Sequence, residues 1–420
     1  MSVTETLGLP NTRGRGPLIV AQIVDALGTG LFLPFAVVYF HVAKDLPLTT
    51  VGLMLSAAAL LALPAGPLAG PMIDRFGPRR VVVAGNLIRV LTFTGYVFTD
   101  VPWQLIVLVT ITLAGESQFR PGAAALVAQV ADDGQRARWY AMDRALRNIG
   151  FGAGGLLGSV LVTWGGTAGY TGVVALNAVS FLVASALVAT WRPARTPVTD
   201  PAPASGPAPD PAGKRGGYRE VLADRAYLGF LATVCAFALC DLALTVLLSV
   251  YVIEARGLPA WQPGVLFAIN TIMVMLAQTM VAKAVERHRR PRVLQVAGAL
   301  WVVSFLLFAM VPAEHAGLAF AGLVIGMVVF TAAELLQAPT SIALTVALAP
   351  AHLRGRYLGL EELMWGLAKV VAPVVFTWLL TEGPALPWLA LCACCLGAIA
   401  VLHRLSRVLP ARAVRETVSA

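Results

Sequence analysis

Twelve apolar stretches run along this chain, and each is long enough to cross a membrane. An α-helix needs about 20 residues to span the ~30 Å hydrocarbon layer. Because no water is available there, every span has to satisfy its own backbone hydrogen bonds, as a helix does. The stretches lack the alternation of apolar and polar residues that marks the strands of a membrane barrel. We therefore predict an all-α membrane protein of twelve transmembrane helices, at approximately 17–41, 51–72, 81–99, 103–126, 140–163, 168–191, 227–252, 263–284, 293–312, 316–340, 356–380 and 386–403.

The content and placement of charged residues agree with this class. Only 13% of the residues are charged, against about 25% in an ordinary soluble domain. The net charge of +9 could suggest nucleic-acid binding, but of the 31 lysines and arginines only Lys44 and Arg256 fall in the loops of one side. This asymmetry is the positive-inside pattern. It predicts a multi-pass protein of the cell membrane with both termini cytoplasmic and no nucleic-acid partner.

One connection differs in composition from the others. Residues 192–225 are rich in proline, alanine and glycine, a composition that predicts a flexible cytoplasmic linker because it cannot bury a core. The linker divides the chain into an amino-terminal six-helix bundle (1–191) and a carboxyl-terminal one (226–405), followed by a cytoplasmic tail (406–420). The linker also lacks the glycine spacing of a phosphate-binding loop, so we expect neither an ATPase nor another enzyme.

The two halves of the chain align with each other. At an offset of 212 residues, GPMIDRFGPRRVVVAG (70–85) matches AKAVERHRRPRVLQVA (282–297), and at an offset of 218, residues 116–143 match residues 334–361. This agreement predicts two bundles of the same topology related by an internal repeat. The aligned pairs include Tyr39 with Tyr251, Asp74 with Glu286, Arg75 with Arg287, Glu116 with Glu334, Pro121 with Pro339, and Asp143 with Glu361.

The loop between the second and third stretches carries a signature of its own, GPMIDRFGPRR. It resembles the loop signature of the major facilitator superfamily, although Pro78 stands where that family has a basic residue. The resemblance extends over essentially the whole chain and implies the major facilitator fold. It also implies a conformational latch of charge-assisted bonds across helix ends, while a role in topology alone is the alternative. The signature and latch residues are Gly70, Asp74, Arg75, Gly77, Arg79 and Arg80, with Glu286 and Arg287 in the second half.

The fifth stretch contains a run of glycines, GFGAGGLLGS. Gly150, Gly154 and Gly158 resemble the antiporter motif of the same superfamily, whereas Gly155 replaces its central proline and Ser159 its last glycine. The resemblance implies efflux by a drug–proton antiporter of the multidrug or macrolide type. Closely spaced glycines also let helices approach one another in any membrane bundle, so close packing is the alternative.

Four acidic residues interrupt the apolar stretches: Asp25 in the first, Glu116 in the fourth, Asp241 in the seventh and Glu334 in the tenth. In proteins that this chain resembles, these four helices line the central cavity. A charge at mid-membrane costs at least ~2.5 kcal/mol, unless the group faces a cavity, pairs with a cation or takes up a proton. We therefore predict the four acids as proton-coupling or substrate-cavity residues.

The neighbouring residues differ among the four acids, and so do the roles that we predict for them. Arg120 follows Glu116 by four residues, so the two either form a static pair on one helix face or take part in coupling. Glu334 has no base at the equivalent position and Asp241 has none nearby, which makes these two the preferred sites of protonation. For Asp25 the alternative is a role in capping or helix packing.

The eleventh stretch adds three secondary candidates. For Glu361 and Glu362 we favour a solvated helix start near the cytoplasmic side. Lys369 lies two turns further in and is predicted to snorkel or to pair with one of the acids. The five cysteines all fall in the seventh and twelfth stretches, where apolar filler is expected and no metal site.

These observations predict a secondary active transporter that exports an apolar or cationic small molecule in exchange for protons by alternating access. The cargo follows from the excess of acids over bases on the cavity helices. The alternatives are a proton-coupled importer of a small nutrient and a membrane sensor or scaffold without transport. No cofactor is expected, because the proton gradient supplies the energy, and we expect a monomer in the lipid bilayer.

Overall fold

The computed structural model describes residues 15–130, 136–191, 218–285, 288–312, 315–350 and 353–409, and nearly all of them are helical. Ten of the described helices are long and apolar enough to cross a membrane. One of these ten, Met142–Thr190, holds two spans, because the backbone breaks at Gly166 (φ 52°, ψ −133°). A further helix, Pro102–Val130, is 29 residues long but is more polar, since it carries Glu116 and Arg120.

The prediction of a twelve-helix all-α membrane protein is confirmed. We call the end of the bundle at which the first span begins the near face and the opposite end the far face. The spans are α1 (Gly16–Ala43), α2 (Leu48–Phe76), α3 (Pro78–Phe98), α4 (Pro102–Val130), α5 (136–165), α6 (167–190), α7 (Arg225–Ala255), α8 (Trp261–Val285), α9 (Arg290–Ala309), α10 (Ala316–Leu348), α11 (Arg354–Glu382) and α12 (Leu386–Val408).

The connection between the halves is partly helical. Residues 192–217 lie outside the described residues, but Tyr218–Ala223 forms a short helix and α7 begins at Arg225. The Asp224 carboxylate caps α7 by accepting a hydrogen bond from the Tyr227 amide at 3.0 Å, as acidic N-caps commonly do. The segment predicted as a linker (192–225) thus contains a short helix directly before α7, and the last span runs to Val408.

Two of the long helices deviate from regular α geometry at equivalent places. In α1, a 3₁₀ turn at Leu33–Phe35 contains Pro34, which lacks the amide proton that a regular helix needs. Further on, α1 and α7 both end in π-helical segments, Tyr39–Ala43 and Tyr251–Ala255, which are 212 residues apart.

The same offset relates the hydrogen bonds that fix these helix ends. In each half, a tyrosine hydroxyl and a basic side chain at the end of the first helix donate to consecutive carbonyls at the end of the third helix. Buried carbonyls find partners in this way, and the far end of each half is held together. The internal repeat is thus present in the contacts as well as in the sequence. The donors and acceptors are Tyr39 to Tyr96 (3.0 Å), Lys44 to Val97 (3.1 Å), Tyr251 to Phe308, and Arg256 to Ala309 (3.2 Å).

Aromatic side chains pack around these bonds. The Phe32 and Phe93 ring centroids are 4.8 Å apart and nearly perpendicular, and those of Phe308 and Trp388 are also 4.8 Å apart. Such pairs contribute about 0.5–1.5 kcal/mol each beyond the area they bury. The far part of each half is therefore a well-packed unit.

Candidate functional site

Asp25 lies in a buried ion pair inside the amino-terminal half. Arg89 Nη1 on α3 donates to Asp25 Oδ1 at 3.0 Å and to Asn86 Oδ1 at 3.2 Å, while Nη2 donates to Thr29 Oγ1 at 3.1 Å. The guanidinium also lies over the Phe181 ring, 3.6 Å from its centroid, a favourable cation–π position. The pair ties α1 to α3, which fits the helix-packing alternative for Asp25.

Glu116 is surrounded by basic residues. Among the described residues, Glu116 and Arg120 form no ion pair within 4 Å, and the Arg120 side chain is exposed. The Glu116 carboxylate is attracted from a greater distance by four basic side chains, those of Arg89, Lys369, Arg120 and Arg147. Its charge is balanced by several cations, so it does not depend on a proton for neutrality.

Glu334 has a different environment in the carboxyl-terminal half. Asn270 on α8 donates through Nδ2 to Glu334 Oε2 at 2.7 Å and to Thr331 Oγ1 at 3.1 Å. Asp241 on α7 is close enough for the two carboxylates to repel each other. No cation lies within 4 Å of Glu334 among the residues described here. A half-buried carboxylate in this position is poorly compensated.

Lys369 lies on α11 within electrostatic range of acids from both halves. It attracts Glu116 on α4 and Asp241 on α7, although it reaches neither at ion-pair distance among the described side chains. The side chain is exposed. The acids Asp241 and Glu334 thus share one site, Lys369 is near it, and Asp25 stands apart with Arg89.

The halves meet closely where α8 packs on α5. A Cβ added to Gly264 would lie 2.5 Å from the Gly155 carbonyl oxygen and would overlap the Ser159 side chain. Two turns further along α8, Thr271 fills the space that a side chain at Gly152 would need. These contacts lie in the far part of both helices, and only glycine permits them.

A second close contact joins α2 to α11. A Cβ added to Gly52 would lie 2.7 Å from the Pro373 carbonyl oxygen and would overlap Thr377. The Val374 amide donates to Ser56 Oγ at 3.1 Å. This contact also lies in the far part of the bundle.

The two contacts are repeats of one another. The glycines are related by the offset of 212 and their partners by the offset of 218, so the interface has approximate two-fold symmetry. We call these two contacts together the far-face seal. The equivalent pairs are Gly52 with Gly264, Gly155 with Pro373, and Ser159 with Thr377.

The glycines of the antiporter-like motif pack α5 on α1. A Cβ at Gly150 would lie 2.9 Å from the Ile23 carbonyl oxygen, and one at Gly154 would overlap the Leu27 carbonyl. Gly158 approaches the Leu31 carbonyl in the same way. Gly155 instead faces α8, so the motif serves two interfaces at once.

The loop signature forms a tight turn between α2 and α3. Gly77 has φ 78°, a backbone conformation that glycine adopts readily. The Arg79 side chain donates to the carbonyls of Val188 (3.1 Å) and Ala189 at the end of α6, where a cation is favoured. Asp74 is exposed and has no ion-pair partner within 4 Å among the described residues. Glu286 and Arg287 lie outside the described residues, so the latch stays a prediction.

Two secondary candidates differ from expectation. Glu361 is 7% exposed and accepts a hydrogen bond from Ser341 Oγ at 3.4 Å, so the prediction of a solvated helix start is wrong for it. The reason is that α11 begins at Arg354, two turns earlier. Glu362 is exposed, as predicted.

The cysteines pack helices of the carboxyl-terminal half against each other. Cys240 on α7 and Cys395 on α12 are both buried, with their sulfur atoms 3.3 Å apart. This contact joins the two helices and is consistent with apolar filler.

Sequence reasoning missed the importance of Arg89 and Asn270. Arg89 is the twelfth residue of α3 (Pro78–Phe98) and therefore lies near its middle, but the sequence did not identify it as the partner of Asp25. Asn270 carries no charge and escaped a search for ionisable residues. The signal was available in both cases, because a polar side chain in an apolar helix needs a partner.

The sequence profile of the Major Facilitator Superfamily matches residues 18–333 and 262–418. The multidrug resistance protein MdtH of Salmonella arizonae is 24% identical over 392 residues, which cover 90% of each chain. The MdtH protein of Shigella boydii is 25% identical over 399 residues, again 90% of each chain.

Solved structures show the same fold. A variant of the nucleoside transporter NupG superposes with a TM-score of 0.77 at 13% identity, over 95% of this chain and 100% of its own. A POT family transporter in complex with a thioalcohol-conjugated peptide gives a TM-score of 0.75 at 12% identity, over 95% and 98%. The chain therefore belongs to the major facilitator superfamily and is a secondary transporter.

Proposed function

We propose that this transporter exports an apolar or cationic small molecule in exchange for protons. The observation that carries the proposal is the environment of Glu334, a half-buried carboxylate near the middle of α10 with Asp241 beside it and no cation within 4 Å among the described residues. Such a charge is costly at mid-membrane. Either a proton or a cationic substrate removes the cost, so the two compete for one place.

The contrast with the amino-terminal half supports this assignment. Arg89 pairs with Asp25 at 3.0 Å, and four cations attract Glu116 from beyond ion-pair distance. Asp25 thus has a partner in the protein and Glu116 lies in a positive field, whereas the neighbouring charge that acts on Glu334 is the carboxylate of Asp241. Proton coupling is therefore assigned first to Glu334 and Asp241, and the acids of the other half have a structural or electrostatic part.

Three points support export as the direction of transport. The basic residues are concentrated in the loops of the near face, which we assign to the cytoplasm by the positive-inside rule. The far-face seal then lies on the outer side of the membrane and closes that side in this conformation, as we propose for an exporter before it takes up cargo from the cytoplasm. Relatives that are 24–25% identical carry the name multidrug resistance protein, which supports efflux of drug-like compounds.

Reconstitution with an imposed pH gradient tests the proposal. In liposomes that are acidic inside, protons leave down their gradient, and we expect ethidium or tetraphenylphosphonium to accumulate inside well above the level in protein-free liposomes. A protonophore should abolish the accumulation. Accumulation only when the outside is acidic would indicate a proton-coupled importer instead, and no movement of either cation in either direction would contradict the proposal.

A further inference from the structure

Asn270 connects the proposed proton site to the interface between the halves. Its side-chain amide donates two hydrogen bonds to residues of α10, one to Glu334 Oε2 at 2.7 Å and one to Thr331 Oγ1 at 3.1 Å. Thr331 in turn donates to the Met327 carbonyl at 2.9 Å. Asn270 is itself buried. Through these bonds α8 is held to α10 at the level of the acidic site.

The same part of α8 makes half of the far-face seal. Gly264 and Thr271 contact α5 directly, and the Phe267 side chain lies against Gly155. These residues recur at spacings of three and four, which places them along one side of the helix. Asn270 directly precedes Thr271, so a change in the bond at Asn270 acts on the segment that closes the seal.

The amino-terminal half has no equivalent connection. At the offset of 212, Asn270 corresponds to Ala58 on α2, and at the offset of 218, Glu334 corresponds to Glu116. An alanine side chain cannot hydrogen-bond to a carboxylate. The two contacts of the seal are therefore alike in packing but differ in chemistry: among the described residues, the α5–α8 contact alone is linked by a hydrogen bond to a half-buried acid.

We propose that Asn270 is the positioning residue that makes opening of the far-face seal depend on neutralisation of Glu334. A carboxylate accepts a charge-assisted hydrogen bond, which is stronger than the bond to a neutral carboxyl group. While Glu334 is anionic, Asn270 holds α8 in place and the empty carrier stays closed. A bound proton or cationic substrate weakens the bond and frees α8 to move against α5. This inference rests on the proposed function, because it gives Glu334 the proton.

Loss of Asn270 is expected to let the carrier change conformation without a bound proton or cargo, which uncouples cargo movement from proton movement. An Asn270→Ala carrier still has Glu334 and still binds protons and cations, but the empty anionic form is no longer held closed. In liposomes, we expect the gradient-driven accumulation of ethidium to fall by about fivefold or more, the lower end of ordinary coupling between sites. Downhill ethidium flux at equal pH on both sides should be retained or increased. A residue with a merely structural role would lower both fluxes together.

Two measurements on purified protein separate this idea from the proposed function. Ethidium binding in weakly buffered detergent should release protons from the native protein and from Asn270→Ala, and clearly fewer from Glu334→Gln, which keeps only Asp241 of the two acids. The matched control is Gln278→Ala, an amide on the same helix two turns toward the near face, which should behave like the native protein in both assays. Asn270→Ser repeats the test if the alanine variant is not monodisperse.

The outcomes are distinct. Native accumulation in Asn270→Ala would overturn the role of Asn270 and leave the proposed function standing. Loss of proton release in Asn270→Ala would also overturn it, because Asn270 would then belong to the proton site itself. Undiminished proton release in Glu334→Gln would refute the proton site, and the role of Asn270 with it.

Discussion

Replacement of Arg89 by leucine is expected to destabilise the amino-terminal half by about 3–5 kcal/mol. The substitution leaves the Asp25 carboxylate buried without its cation, and it also removes the bonds from Arg89 to Asn86 and Thr29. For a unit of this size, each kcal/mol shifts Tm by roughly 2–4 °C, so Tm in detergent should fall by roughly 6–20 °C. Thermal unfolding followed by tryptophan fluorescence measures the shift.

The controls are a double variant and a variant of the exposed carboxylate Asp100. Asp25→Asn combined with Arg89→Leu removes the orphaned charge and should recover much of the lost Tm, since isolated buried charges cost more than neutral polar groups. Asp100→Asn removes a carboxylate that is 76% exposed and pairs at 2.8 Å with Lys44, whose side chain is 7% exposed. Lys44 keeps its hydrogen bond to the Val97 carbonyl, and a pair screened by solvent on one side contributes about 0–1 kcal/mol. An Arg89→Leu shift no larger than that of Asp100→Asn would show that the buried pair contributes little.

A methyl group at each glycine of the far-face seal is expected to hold the two halves apart at the far face. In Gly52→Ala and Gly264→Ala, the new Cβ would meet backbone carbonyl oxygens at 2.7 and 2.5 Å, so the helices have to separate. Overpacking costs about 1–3 kcal/mol at each site, and this cost applies only when the seal is closed. The population of the closed form relative to the open form should therefore fall about 5- to 150-fold per site.

Spin labels at two exposed far-face positions measure this change. Thr167 is the first residue of α6, and Pro259 lies between α7 and α8. Labels at these positions report the separation of the halves once the five native cysteines are replaced. The distance distribution should move to longer values in the double glycine variant, and ethidium transport should slow. Gly322→Ala is the control, because nothing lies within 4 Å of its added Cβ. An unchanged distribution in the double variant would contradict the assignment of the seal.

The fold could be predicted from the sequence because apolar stretches of about 20 residues identify membrane-spanning helices. The internal repeat predicted contacts as well as topology. The offset of 212 relates Tyr39 to Tyr251, which make equivalent hydrogen bonds, and it relates Gly52 to Gly264 in the seal. The offset of 218 relates the partners of these two glycines. The predicted boundary between the fifth and sixth spans, at 163–168, also agrees with the break at Gly166. The composition of the linker did not indicate that its last residues, Tyr218–Ala223, are helical.

The partners within each half could not be predicted from the sequence. In a soluble helix, polarity marks the exposed face, but a membrane helix is apolar toward lipid and toward protein alike. Nothing in the apolar pattern of α3 indicates that Arg89 turns toward Asp25, and nothing in α8 indicates that Asn270 turns toward Glu334. Glu361 shows the same difficulty, because its burial depends on where α11 begins and on which neighbours cover it.

In the mechanism that we propose, Glu334 and Asp241 couple the movement of protons to the movement of cargo. The most direct test compares gradient-driven ethidium accumulation by the native protein, Glu334→Gln and Asp241→Asn, with Glu362→Gln as an exposed matched control, all reconstituted at equal amounts. We predict that accumulation falls roughly 5- to 150-fold in Glu334→Gln, falls clearly in Asp241→Asn, and is unchanged in Glu362→Gln. Undiminished proton-driven accumulation in both Glu334→Gln and Asp241→Asn would contradict the claim.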